Sequence, residues 1–274
     1  MTSVLVWNVG LGSNKTPIND SRINTIADVI SIQNPDICVL QDAFDLSVSK
    51  YFVQNLFPGY YVYIYPLQER GDCDITCISY CALIKRYLSN IYVEPVEIGN
   101  TRFALEINVD NVKILAAYLE YADPRIRRQQ LDTILSLDVD IICGDLNIFF
   151  RNVPREYFGN PLRILYHWKQ IGLYIASKVV RNMHVPRRAL SDKGWILLSR
   201  NQYSFPLPFF WHTFLNTPLL RSTSWIWTTI FNAPVLDPDK VLVKDPYISL
   251  SPVSIITKGI IERASDHGAI CFKV

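Results

Sequence analysis

Val139-Asp140-Ile141-Ile142-Cys143-Gly144-Asp145-Leu146-Asn147 is an apolar run that stops abruptly at Gly-Asp-Leu-Asn. A short β-rich run closing on glycine and two polar side chains predicts a buried strand that delivers Asp145 and Asn147 to one edge of a sheet. Taken alone, the segment reads best as an ordinary strand end with an Asp/Asn turn. Three other segments change that reading.

The first begins at the N-terminus, where residues 3–9 alternate and then run apolar into Trp7-Asn8-Val9-Gly10. In the second, Asp36-Ile37-Cys38-Val39-Leu40-Gln41-Asp42 forms another buried strand ending in a carboxylate. Between them Asp20-Ser21 caps a helix carrying Ile23, Ile26, Ile30 and Ile32, and Pro35 prevents extension past Asn34. Strand, helix and strand make a βαβ-like opening. A helix over 46–57 and successive strands over 60–65, 78–85, 91–98, 102–109 and 112–119 follow, a meander with a substantial antiparallel component. Asp123-Pro124 starts a helix, Asp as N-cap and Pro as first residue, that continues through Ile126, Leu131, Ile134 and Leu135. A further helix is expected over 161–171, Asp237-Pro238-Asp239-Lys240-Val241-Leu242-Val243 leads into another strand, and strands are expected over 253–257 and 269–272. The third segment is Ser265-Asp266-His267-Gly268, just before the last strand.

Composition bounds the answer. The chain has 274 residues, of which 49% are hydrophobic, enough for a real core and too many for disorder. The net charge is +2, yet residues 151–200 hold ten Lys/Arg against only Glu156 and Asp192, so the remainder is net acidic. Such asymmetry suits a phosphate-rich partner facing one side of the molecule, although solvated positive faces are common. Cys38, Cys143 and Cys271 lie in apolar runs and read as buried thiols. Cys73, Cys77 and Cys81 are four apart, and four strand residues span roughly 13 Å. That is too far for a disulfide without an intervening turn, so core thiols are expected there too.

The N-terminal residues lead straight into strand-like sequence, without the basic region and small-residue cleavage site of a signal peptide. An intracellular protein, cytoplasmic or nucleoid-associated, is the expectation. Residues 203–220 contain no Asp, Glu, Lys or Arg and are rich in Phe and Trp, but Pro206, Pro208 and Pro218 break the helix that a bilayer requires. Core packing is the favoured reading; a substrate lid, a partner surface and an interfacial membrane contact are the alternatives. No repeat, low-complexity tract or flexible linker divides the chain. One domain over 1–274, with an apolar insertion around 183–227, is the expected organisation.

Asn8, Asp42, Asp145 with Asn147, Asp239, and Asp266 with His267 all fall at predicted strand boundaries. They supply hard oxygen ligands and one titratable imidazole. The thiolate and multi-histidine ligands of a zinc site are missing from the set, and the chain has no Walker loop, dinucleotide fingerprint or nucleophile elbow. What remains suits magnesium-assisted phosphoester hydrolysis.

At these residues the sequence resembles the endonuclease/exonuclease/phosphatase superfamily, which has the DNase I-like fold. Val6-Trp7-Asn8-Val9 resembles its first-strand motif, and Leu40-Gln41-Asp42 its Leu-Gln-Glu. Gly144-Asp145-Leu146-Asn147 is similar to Gly-Asp-Phe/Leu-Asn, and Ser265-Asp266-His267 to the terminal Ser-Asp-His. Four motifs in the family's order, from one end of the chain to the other, carry the resemblance. It implies a four-layer α/β/β/α sandwich, an α/β (α+β) fold of two packed mixed sheets with helices outside.

The resemblance also implies roles. Asp42 is the main metal-binding carboxylate, supported by Asn8 and Asp266, with Mg²⁺ as the ion and Mn²⁺ as its substitute. Asp145 orients or deprotonates the attacking water, Asn147 bonds the phosphate and the nucleophile, and His267 stabilises the phosphate or assists the leaving group. Asp239, or Asp237 two residues earlier, orients His267, with Asp239 favoured because the apolar run starts directly behind it. Tyr118 stands where exonuclease III-like abasic-site endonucleases have Tyr and DNase I-like and many lipid-phosphatase relatives have His. Two departures stand out: Asp42 replaces the usual Glu, and Gly10 stands where the repair enzymes carry an Asp. Arg125, Arg127 and Arg128 are candidates for phosphate contacts, each alone reading equally as a solvated charge.

The expected function is a Mg²⁺-dependent phosphodiesterase acting on DNA, an endonuclease or exonuclease with abasic sites among its targets. The alternatives are a phosphatase or phosphodiesterase for a lipid headgroup or small phosphorylated metabolite, and an attenuated homologue that binds nucleic acid or protein.

Overall fold

The computed structural model describes residues 1–11, 21–43, 50–66, 79–120, 123–148, 188–198, 239–244, 253–256 and 269–274. The expected helix over 161–171, most of the basic stretch, the 203–220 segment, Cys73 and Cys77 lie outside the described residues, as do Asp237, Asp266 and His267.

Among the described residues, two six-stranded sheets carry the fold. The first orders β11 (Ser254–Ile256), β12 (Ala269–Lys273), β1 (Ser3–Asn8), β2 (Ile37–Gln41), β4 (Ser79–Lys85) and β3 (Tyr60–Pro66). The second orders β5 (Tyr92–Gly99), β6 (Arg102–Val109), β7 (Val112–Ala116), β8 (Ile141–Asp145), β10 (Asp239–Val243) and β9 (Ile196–Leu197). Each sheet holds one parallel pair at its centre, β1 with β2 and β7 with β8, and its other neighbours are antiparallel. A parallel pair needs a crossover connection. Helix α1 (Ser21–Gln33) supplies the first and α3 (Pro124–Ile134) the second.

Alternation along the strands sorts the apolar residues into three layers. Val4, Val6, Val39, Tyr80, Leu105, Ile114, Cys143 and Val241 fill the space between the sheets. Leu5, Trp7, Cys38 and Leu40 face outward under α1 and α2 (Lys50–Leu56). Leu115, Ile142 and Leu242 face the other way, under α3 and α4 (Arg188–Ser191). Successive strand side chains point to opposite faces, so both sheets are buried on both sides and their central strands read as continuous apolar runs. The result is the expected four-layer sandwich.

Local chemistry sets the element ends. The Asp123 side chain accepts from the Arg125 amide at 2.7 Å, capping α3 with Pro124 in its first turn as expected. Asn34 ends α1 at φ 47°, followed by Pro35. Val29 joins Ile23, Ile26 and Ile30 on the buried stripe of α1, whereas Ile32 is exposed. At 100° per residue Ile32 lies about 200° from Ile30, off the stripe. The β7 strand stops at Ala116, three residues short of the expected end, although Leu119 N–H still donates to Asp145 O of β8 at 3.1 Å. Within the expected insertion, Leu190 and Trp195 are buried in the outer layer, and Trp195 Nε1 donates to Leu135 O at 3.0 Å. Among the described residues no helix is long and apolar enough to cross a membrane.

Candidate active site

The C-terminal ends of the two parallel pairs meet. In open α/β sheets this end of the strands is where ligands bind, because the chain leaves the sheet there and frees polar termini. Asn8 is the last residue of β1, in register with Gln41, the last residue of β2, and Asp42 follows immediately. Opposite them Asp145 ends β8, followed by Asn147. Across the gap between the sheets Asn8 Nδ2 donates to Asp145 Oδ2 at 2.9 Å. All five of these side chains are buried, Asp42 and Asp145 at 2% exposure each.

Asp145 is held on every side. Its Oδ1 accepts from the Asn147 amide at 3.0 Å, its own amide donates to Gln41 Oε1 at 3.1 Å, and its carbonyl accepts from Leu119 N–H. Asn147 in turn donates from Nδ2 to Leu119 O at 3.1 Å. Asp42 and Asn147 both adopt left-handed backbone, φ 50° and 52°. Asp and Asn tolerate this conformation better than other non-glycine residues, and such backbone collects at functional sites.

Tyr118 lies beside this cluster. Its amide donates to Tyr80 Oη at 3.0 Å, and Tyr80 Oη donates to Phe103 O at 3.1 Å. Burial pushes the Tyr80 phenol far above its ordinary range, despite the Tyr118 amide and the Arg102 charge, so it stays protonated as a donor. The Arg102 guanidinium sits 5.4 Å from the Tyr118 ring centroid and is ion-paired with Glu120 at 2.8 Å.

The sequence-selected arginines separate. Arg127 is buried and donates to Glu120 O at 2.9 Å; burial lowers its basicity, opposed by the charges of Glu120, Asp145 and Asp123. Arg125 and Arg128 are exposed on α3, and Arg128 pairs with Asp132 at 3.2 Å. Asp239 is in register with Asp145 across the antiparallel β10–β8 pair. Asp266 and His267 lie outside the described residues, just before β12, whose Ala269 end lies at the Asn8 end of β1.

Asp42 and the Asn8 amide oxygen suit a hard cation, which prefers carboxylate and amide oxygens. Among the described residues no group of three or more His, Cys, Asp or Glu is placed to hold one. The geometry adds two residues that the sequence reading gave no role. Gln41 was visible as the one polar side chain in an apolar strand, and Tyr80 carries a polar tip into the inter-sheet layer, a position that alternation alone does not distinguish from an ordinary core aromatic.

The sequence matches no family model and no curated protein. Solved structures do match over the whole chain. A humanized D. rerio TDP2 carrying 14 mutations aligns at TM-score 0.53 and 14% identity, covering 100% of this chain and 99% of its own. The 3′ phosphatase NExo from Neisseria, bound to a product DNA hairpin, aligns at 0.57 and 14%, with the same coverage. An AP endonuclease from Archaeoglobus fulgidus aligns at 0.57 and 13%, again covering 100% and 99%. Two packed mixed sheets with helices outside give this chain the fold that these solved structures share, the DNase I-like sandwich.

Proposed function

We propose that the protein is a Mg²⁺-dependent phosphodiesterase acting on DNA, with abasic sites among its targets. The observation that carries this reading is the 2.9 Å bond from Asn8 to Asp145, which joins the Asn8–Asp42 end of one sheet to the Asp145–Asn147 end of the other. In this reading two functions of hydrolysis, anchoring a cation and activating water, come from the facing ends of the two sheets. The solved structures of the same fold support DNA as the substrate, being a 3′ phosphatase with a DNA product, an AP endonuclease and TDP2.

In this reading Asp42, with Asn8 and Asp266, holds the cation, and Mn²⁺ substitutes for Mg²⁺. When bound, the cation supplies a Lewis acid that offsets negative charge on the phosphoryl oxygens. Asp145 orients the attacking water and takes its proton, with its carboxylate aimed by the Asn147 amide and Asn8. Water attacks phosphorus in line with the departing oxygen, a P–O bond forms as the ester P–O bond breaks, and His267 protonates the leaving oxygen. Asp239 fixes the tautomer of His267. Asn147 and Tyr118 contact the phosphate and sugar, and Arg125 and Arg128 contact flanking phosphates.

The test is cleavage of end-labelled duplexes, one intact, one with a single abasic site and one ending in a 3′ phosphate, with Mg²⁺ and with EDTA. Metal-dependent incision that D145N lowers by about 10³-fold supports the reading, since removing a general base costs on the order of 10²–10⁴. Cleavage unaffected by EDTA or by D145N overturns it.

A further inference from the structure

We infer that Gln41 is a positioning residue that sets the separation between the cation-holding and water-activating walls of the site, with Gly144 as the socket that admits it. This rests on the phosphodiesterase reading above. Gln41 is fully buried at the end of β2, directly before Asp42. Its side chain crosses to the other sheet, where Nε2 donates to Ala117 O at 2.9 Å and Oε1 accepts from Asp145 N–H at 3.1 Å. One carboxamide therefore links the strand end that presents Asp42 to the residue before Tyr118 and to the backbone of Asp145.

The partners dictate both the residue and its orientation. Ala117 O only accepts and Asp145 N–H only donates, so the amide can be read in one way. No other uncharged side chain of this length offers a donor and an acceptor side by side. Gly144 completes the fit. A Cβ there would lie 2.5 Å from Gln41 Nε2 and 2.4 Å from Ala117 O, so any side chain at 144 excludes the carboxamide from its place. The Gln of Leu-Gln-Asp and the Gly of Gly-Asp-Leu-Asn thus belong to one device split between two sheets.

Two substitutions separate positioning from bulk. Q41M keeps the length of the side chain but offers neither the donor to Ala117 O nor the acceptor for Asp145 N–H, and Q41E keeps the acceptor but replaces the amide donor.

The experiment measures kcat and KM of wild type, Q41E and the nearly isosteric Q41M on the best DNA substrate, with urea stability and Mg²⁺ affinity by calorimetry alongside. Q41M is expected to lose about tenfold or more in kcat, as a buried bond is lost, with KM little changed and Mg²⁺ bound more weakly. Q41E, which sets a carboxyl oxygen against Ala117 O, is expected to lose as much or more. Q41M with wild-type kcat and Mg²⁺ affinity overturns the assignment. Wild type that cleaves none of the duplexes overturns the function instead; Gln41 is then judged by stability, and Q41M as stable as wild type overturns its link between the sheets.

Discussion

At Gly144 the backbone sits at φ +122°, a conformation that side chains rarely adopt, and the space a Cβ would need is taken by Ala117 O and Gln41. Left-handed strain and overpacking each cost on the order of 1–3 kcal/mol. G144A is therefore expected to destabilise the protein by about 3 kcal/mol or more, measured as a shift of the urea midpoint. Glu120 tests a different residue-scale effect. Its carboxylate neutralises Arg102, whose side chain is only 6% exposed and whose buried Nε has no hydrogen-bond partner among the described residues. Removing one member of a buried pair strands the other charge, at a cost of about 3–5 kcal/mol. E120A should show that loss by urea denaturation, and E120Q, which keeps an acceptor, a smaller one.

Single elements are anchored by similarly local chemistry. The start of β2 is latched to β1 by Asp36, whose Oδ2 accepts from Ser3 N–H at 2.7 Å and Ser3 Oγ at 2.8 Å, while Oδ1 accepts from the Tyr87 hydroxyl. Partial burial works to raise the Asp36 carboxyl, but the Ser3 amide, Tyr87, the Ser3 hydroxyl and the Lys85 charge together hold it below its ordinary value. A carboxyl depressed in the folded state contributes stability above its unfolded pKa, about 3.9, and loses it as pH falls through the folded pKa. D36N should thus be less stable than wild type at pH 7, by on the order of 1 kcal/mol, with the gap closing as pH falls below about 4. Urea titrations across that range check it, and a gap that widens on acidification contradicts the latch.

At the scale of the whole molecule, the site exists only where two sheets meet, so anything bound across it holds them together. A ligand that binds only the folded state stabilises it by RT ln(1 + [L]/Kd), about 2.7 kcal/mol at a hundredfold excess over Kd. Mg²⁺ is expected to raise the Tm of wild type and to leave D42A unmoved, as read by thermal unfolding with and without EDTA. An equal shift in both proteins places the cation elsewhere. The inter-sheet layer around Leu105, Ile107 and Val39 gives the two walls a rigid base, because close-packed interiors deform little.

Much of this was legible in the sequence. The strand ends at Asn8 and Asp42 and at Asp145 and Asn147 were readable from apolar runs stopping on polar residues, since period and burial are local properties of the chain. The capped start of α3 was readable for the same reason. The sequence could not show that Asn8 reaches Asp145 across 137 positions, that Gln41 links two sheets, or that Tyr80 supports Tyr118. Nor could it show that Arg127, one of three neighbouring arginines, turns inward while Arg125 and Arg128 face solvent. Those outcomes depend on which strands become neighbours and how the sheets face each other, and sequence spacing carries no record of partners brought together only by packing.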